Sequence, residues 1–268
     1  MDIIYEIQKI YNSFSDKEKS IADYIIQNRE NIKNINITDL AKAIGTSGAT
    51  ITRFAKKIGC DSFVDMKIML GSNKVEKVIE EDDDEIFSYA YQYYNEVIER
   101  TKMLIDKRTI FKVVDELKRA RNIYIYGVGS SGLTGKEMMQ RLLRMGFNVH
   151  CISDSHMMII NSSIVTKKDL VIGISISGET VEVMHSLRKA RENGAKTVCI
   201  TSFENSSISK YSDIEFIVYN PKFVNRNKFI NSQFSAMYLL DLISMALLKD
   251  EELSKNMKIT IDAIINNH

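Results

Sequence analysis

The chain is poor in residues that stiffen, cross-link or interrupt a fold: one proline, no tryptophan, three cysteines and four histidines in 268 residues. Cys60, Cys151 and Cys199 lie far apart and none belongs to a CxxC pair, which argues against a disulfide framework or a zinc site. No histidine stands in metal-ligand or nucleophile spacing, so neither a metal nor another cofactor is expected. The opening segment, MDIIYEIQKIYNSF, lacks a basic stretch followed by an apolar one, and no run approaches the roughly 18 apolar residues of a spanning helix. Neither export nor membrane insertion is expected, and the reducing cytoplasm is the natural compartment. A surplus of charge is also missing: the formal net charge is +1, so any affinity for DNA must come from a local basic patch.

What is present is 44% hydrophobic and 26% charged residues, the balance of a helix-rich globular protein, over a length that suggests two domains. Residues 1–73 read as helical throughout, with Ser15-Asp16-Lys17-Glu18 as a capping box ahead of Ile21, Tyr24 and Ile25 on one face. Residues 74–85 turn strongly acidic, end in EEDDDE and read as a solvated linker. Two helices are expected between Ile86 and Ala120. Phe87, Tyr89, Tyr91 and Tyr93 alternate like a strand, but Ile86, Ala90, Tyr93, Val97 and Leu104 keep near-helical spacing over a longer span, and the aromatics read as core or a dimer seam.

Beyond Asn122 the pattern changes to short continuous apolar runs at 123–128, 149–152, 170–175, 197–201 and 214–219, separated by helical stretches. Strands that are apolar on both faces need cover on both, which βαβ units around a parallel sheet provide. The spacing leaves the strand order open. Two helices, 230–249 and 251–266, close the sequence. The first carries Phe234, Met237, Tyr238, Asp241 and Met245 in a stripe suited to a sheet or a twin subunit.

Two segments carry chemistry. The run VIGISISGET, residues 171–180, is a buried strand ending in hydroxyls around one glycine, just before an amphipathic helix that starts at Val181. Ser177 is expected to N-cap that helix, Gly178 to let backbone approach a ligand closely, and Thr180, at the third helical position, to add its hydroxyl. Ser175, and Ser131 from the matching loop Gly127-Val128-Gly129-Ser130-Ser131-Gly132, complete a neutral cradle for a small phosphorylated ligand. That first loop fails as a dinucleotide fingerprint, because its third glycine is out of register at Gly135 and no acidic residue closes the second strand. Glu179, a carboxylate beside an anion site, is expected to point away from it.

The other segment is Thr38 to Gly59. Leu40, Ala41 and Ile44 form the apolar face of a short helix ended by Gly45, and Ser47 caps a second helix. Ile51, Phe54, Ala55 and Ile58 fall on one side of that second helix, leaving Gly48, Thr50, Thr52, Arg53, Lys56 and Lys57 largely outside. This is the helix-turn-helix arrangement, in which Arg53 can read guanine or grip phosphate and Lys56 and Lys57 meet the DNA backbone. An ordinary αα-hairpin with a solvated basic face is the competing reading.

Taken together, these residues resemble the RpiR family of bacterial transcriptional regulators. LAKAIGTSGATITRFAKKIGCDSFVDMK is similar to that family's helix-turn-helix domain, and GVGSSG, RLLRMG, DSH, SISGET and KARENGAKTVCIT to its sugar isomerase (SIS) domain. The resemblance implies an all-α helix-turn-helix domain at 1–73, the linker, and at 86–268 an α/β SIS domain with a five-stranded parallel, flavodoxin-like sheet. It implies that Gly129, Ser130, Ser131, Ser175, Ser177, Gly178 and Thr180 bind a phosphosugar, and that Thr38, Ser47, Thr50, Thr52, Arg53, Lys56 and Lys57 face DNA. It also implies a homodimer or tetramer joined through SIS domains. In this sequence Gln233 stands where family members usually carry arginine.

A phosphosugar isomerase or lyase with an accessory helical domain is the alternative. Such an enzyme needs a base near the sugar carbons. Residues 218–233 contain no Asp, Glu or His but include Lys222, Arg226 and Lys228, a set better suited to holding an anion than to moving protons. Glu137, Glu179, His156 and His185 remain the conceivable catalysts. A ligand-responsive regulator rather than an enzyme is the expectation.

Overall fold

The computed structural model describes residues 3–28, 32, 34–72, 84–220 and 233–266. Two compact units are formed, one by Met1–Val97 with Asn220–Ile230, the other by Ile98–Tyr219 with Asn231–His268. Among the described residues no helix is long and apolar enough to cross a membrane.

The first unit is helical: α1 (Ile3–Ile10), a 3-10 turn (Tyr11–Ser13), α2 (Asp16–Gln27), α3 (Ile37–Ile44), α4 (Gly48–Lys57), α5 (Phe63–Ser72) and the start of α6 (Asp84–Leu104). The capping box before α2 is present, with Ser15 accepting from the Glu18 amide and Glu18 accepting from the Ser15 amide at 2.7 Å. Ile21, Ala22 and Ile25 from α2 are fully buried, as are Ile51, Phe54 and Ala55 from α4, and the Phe14 ring lies 5.2 Å from that of Phe54. Residues 74–83 of the expected linker lie outside the described residues, and Asp84 already opens α6. Within α6 Tyr93 and Val97 are buried, whereas Ile86, Phe87 and Tyr91 are exposed, so only part of the expected stripe is core.

The second unit continues with α7 (Lys107–Arg119), β1 (Asn122–Tyr126), α8 (Ser130–Arg144), β2 (Val149–Ile152), α9 (Ser155–Ile164), β3 (Asp169–Ile174), α10 (Val181–Glu192), β4 (Lys196–Thr201), β5 (Ile214–Ile217), α11 (Phe234–Leu247) and α12 (Glu251–Ile265). All strand pairings are parallel, in the order β2-β1-β3-β4-β5, the flavodoxin-like order that spacing alone left open. Alternate residues supply the two faces. Ile123, Ile125, Leu170, Ile172, Val198 and Ile200 pack with α7, α8 and α11. Tyr126, Val171 and Cys199 pack with α9 and α10.

On the closing helix α11 the expected stripe is largely not the one that faces the sheet. Ala236, Leu239, Leu240, Ile243 and Leu247 face the core, while Asp241 and Met245 are exposed and Phe234, Met237 and Tyr238 only half-buried. The helix is apolar on more than one side, so its own periodicity could not select the face; the sheet takes the small and aliphatic residues. Residues 230–232, read as its first turn, lie outside the described residues, as do Lys222, Arg226 and Lys228. Arg141 of α8 bonds Glu137 at 2.8 Å and Asp241 at 2.5 Å, tying α8 to α11.

Candidate functional site

Strands β1 and β3 are neighbours, with Tyr126 opposite Gly173. Adjacent strands lie about 4.8 Å apart, so the loops leaving their carboxyl ends start side by side. From β1 the chain crosses to β2 on one side, and from β3 to β4 on the other. Those divergent crossovers, with α8 on one face and α10 on the opposite face, open a crevice at the point where the strand order reverses, where open α/β sheets bind ligands. The two hydroxyl-rich loops therefore leave the same edge of the sheet from neighbouring strands.

In the second loop the Gly178 amide donates to the Ser175 carbonyl at 2.9 Å and lies 3.1 Å from the Ser175 hydroxyl, closing a tight turn. The Ser175 Oγ is 2.8 Å from Thr180 Oγ1 and 3.3 Å from Ser177 Oγ, so three hydroxyls gather on one spot. Ser175 is buried, Ser177 exposed and Thr180 half-buried, a gradient leading from the strand end to solvent. Gly178 has φ +73°, and a Cβ on it would lie 2.3 Å from the Ser206 Cβ. Both facts confine the position to glycine.

The helix starts at Val181 as expected, but its expected cap is corrected by the same turn. Ser177 is not the N-cap; Thr180 occupies that position, one residue before α10, and makes no side-chain cap bond. The left-handed residue at 178 keeps 176–179 out of the helix, so Ser177 instead accepts from the Glu179 amide at 3.3 Å. The first-turn amides of α10 consequently have no capping side chain over them. Helix α8 is alike: its N-cap is Gly129, at φ 58°, again without a side-chain cap. Helices α2, α3, α4, α7, α9 and α12 are by contrast capped by Ser15, Asn36, Ser47, Asp106, Asp154 and Asp250, although α11 too lacks a cap. Gly129 and Ser130 are exposed and Ser131 is buried at the start of α8.

The candidate acids and bases are engaged or exposed. Glu179 is tied to Ser207, which donates its amide at 3.1 Å to one carboxylate oxygen and its hydroxyl to the other. Glu137 accepts from Arg141, while His156 and His185 are exposed on α9 and α10. The three cysteines are free thiols, and burial pushes Cys60 up to about 11 and Cys199 up to about 12, far from thiolate chemistry. Sequence reasoning passed over Ser207, whose only signal is the hydroxyl-rich run at 206–209, and Thr134, which donates to Gln233 at 3.0 Å one turn into α8.

The helical pair α3–α4 has the expected joints. Gly45 is left-handed at φ 72°, the Thr46 amide returns to Ala41 O at 2.8 Å, and Ser47 caps α4 by accepting from the Thr50 amide at 3.2 Å. The four apolar residues Ile51, Phe54, Ala55 and Ile58 are buried. Arg53 and Lys56 are exposed on the opposite side, flanked by the half-buried Thr50 and Thr52, and Thr38 is exposed in the first turn of α3. Lys57 differs from Lys56: its ammonium bonds Glu18 at 2.9 Å and Ser13 O at 3.2 Å and lies 5.2 Å from the Phe14 ring centroid, which anchors α4 to α2.

Comparison with known proteins agrees with both halves. Residues 1–77 match the model of the helix-turn-helix domain of the rpiR family, and residues 116–263 match that of the SIS domain. An uncharacterized HTH-type transcriptional regulator of Clostridium perfringens is 31% identical over 280 residues, covering 100% of both chains. One from Haemophilus influenzae is 30% identical over 94% of this chain and 91% of its own. Among solved structures, the NanR protein of Vibrio vulnificus, complexed with ManNAc-6P, aligns with a TM-score of 0.63 at 25% identity, covering 99% of each chain.

Proposed function

The chain belongs to the rpiR family of helix-turn-helix transcriptional regulators with a SIS domain, and from that premise we propose that a phosphosugar in the β1/β3 crevice controls its affinity for DNA. Ser131, Ser175, Ser177 and Thr180 supply hydroxyls to the phosphate; Gly129 and Ser130 supply backbone, Gly178 lets the turn approach the anion closely, and the uncapped helix ends supply the dipoles. The observation that carries this reading is the gathering of the Ser177 and Thr180 hydroxyls within 3.3 Å of Ser175 Oγ at the uncapped start of α10, with a second uncapped helix, α8, leaving the neighbouring strand. The Vibrio protein's ManNAc-6P supports a sugar or amino-sugar phosphate as the effector class.

In this reading residues 1–73 bind DNA, 74–85 link, and 86–268 sense the ligand and join copies of the chain into a homodimer or tetramer in the cytoplasm. Thr38, Ser47, Thr50, Thr52, Arg53, Lys56 and Lys57 form the DNA-facing set. Two recognition helices must match half-sites about 34 Å apart, so a small ligand-driven rotation changes affinity without any catalysis. The test pairs calorimetry, using a panel of hexose and N-acetylhexosamine 6-phosphates, with gel shifts on the DNA upstream of the protein's own coding region. Ser177→Ala with Thr180→Ala should abolish ligand binding and leave DNA binding intact. Undiminished phosphosugar affinity in that double variant refutes the pocket, and turnover of a sugar phosphate at ordinary enzyme rates refutes the regulator without catalysis.

A further inference from the structure

A carboxylate next to an anion cradle needs a reason. Glu179 directly precedes Thr180, and an unmasked negative charge there opposes a phosphate. Its two oxygens, however, are both occupied by one residue: Ser207 donates its amide at 3.1 Å and its hydroxyl to them. The neighbouring backbone repeats the attachment, with the Ile208 amide donating to Gly178 O at 3.0 Å and the Ser202 amide to Ile176 O at 3.1 Å. The far end of this β4–β5 connection is held as well, because Arg191 at the end of α10 donates to Lys210 O at 3.0 Å. The connection is thus a strut along α10, and the Glu179 side chain grips it from the cradle loop.

From this geometry, and resting on the reading of the crevice as a phosphosugar site, we propose that Glu179 is a positioning residue. It locks the Ser175–Thr180 turn onto the β4–β5 connection through Ser207, and the two donors that it accepts turn its charge away from the anion. Glu179 is then not a contact to the sugar, and the cradle's shape depends on a residue that sequence distance places 28 positions downstream. The carbonyl of a glutamine can take the amide bond while its NH2 donates to the Ser207 hydroxyl, so Glu179→Gln keeps the clamp and removes the charge. Alanine removes both.

The experiment compares wild type, Glu179→Ala, Glu179→Gln and Ser207→Ala in the full chain, reading amide hydrogen exchange at 204–208 without ligand and affinity for inorganic phosphate by amide shift titration. Glu179→Ala should speed exchange at Ser207 and Ile208 and weaken phosphate roughly tenfold, the order expected for one lost charge-assisted bond pair. Ser207→Ala should weaken phosphate by less, because the backbone amide of residue 207 still donates to the Glu179 carboxylate. Glu179→Gln should keep wild-type exchange and bind phosphate as well as wild type or about threefold better, since a repulsive, solvent-screened charge is gone. Wild-type exchange and affinity in Glu179→Ala overturn the clamp, and a Glu179→Gln loss as large as that of alanine shows that the carboxylate itself meets the ligand. A wild-type protein that binds neither phosphate nor any sugar phosphate overturns the crevice reading instead, and the exchange arm still decides the clamp.

Discussion

Gly178→Ala is the most demanding perturbation of the cradle, because two independent costs fall on one methyl group. The residue sits at φ +73°, where an L side chain costs about 1–2 kcal/mol. The added Cβ would also lie 2.3 Å from Ser206 Cβ, 2.6 Å from Ser206 Oγ and 2.7 Å from Thr201 Oγ1, and such overpacking costs a further 1–3 kcal/mol, roughly. Ser206 and Thr201 are both fully buried, so neither has solvent to retreat into. The sum, about 2–5 kcal/mol, corresponds to a fall in melting temperature of roughly 5–15 °C for a unit of this size. Calorimetric melting, with phosphosugar titration on the same sample, reads both stability and cradle. A Ser206→Gly background should return the share of the loss due to Ser206 while leaving the backbone share, a coupling measurable by a double-mutant cycle. Wild-type melting and ligand affinity in Gly178→Ala, or no relief from Ser206→Gly, would refute the reasoning.

Three further outcomes follow from the same geometry. Arg53→Ala should weaken operator binding by about 1–3 kcal/mol while leaving phosphosugar affinity unchanged, and a gel-shift titration at wild-type affinity contradicts its outward role. Lys57→Ala should cost less DNA affinity than Lys56→Ala, measured by the same titration, because Glu18 already holds the Lys57 ammonium at 2.9 Å. Asp169 is buried at the start of β3. Burial pushes its carboxyl up, but bonds from the Thr166 amide and hydroxyl and from Asn122, with the Arg121 charge, outweigh this and hold it below its ordinary value of 3.8. An acid depressed on folding contributes stability that is complete above its unfolded value and lost as pH falls through the folded one. Urea midpoints should therefore drop below about pH 4 in wild type, and Asp169→Asn should be less stable at pH 7 yet flatter in acid; identical profiles contradict this assignment.

Much of the architecture was legible because burial on both faces writes itself as unbroken apolar runs. The four-residue run at 149–152 is β2 to the residue, and Ser15, Gly45 and Ser47 mark helix ends by their backbone chemistry. Strand order was not legible from spacing, since a crossover looks the same whichever edge it reaches. The face of α11 was not legible either, because hydrophobicity surrounds it. At the site, the start of the helix at Val181 was legible, but its N-cap was misplaced by three residues: Ser177 has capping chemistry, and only the left-handed Gly178 after it reveals that the helix has not yet begun. Ser207 stayed hidden because its partner is 28 residues away, a separation that no local pattern encodes. The ion pair of Lys57 with Glu18, 39 residues earlier, was hidden in the same way.

The account rests on two loops serving one anion. Its most direct test is an amide-resolved titration of the protein with a phosphosugar that it binds. Residues 129–132 and 175–181 should shift together along one binding curve with a single dissociation constant, and inorganic phosphate should compete at both. Shifts confined to one loop, or two loops saturating at different concentrations, would contradict the shared crevice and with it the proposed route from ligand to DNA.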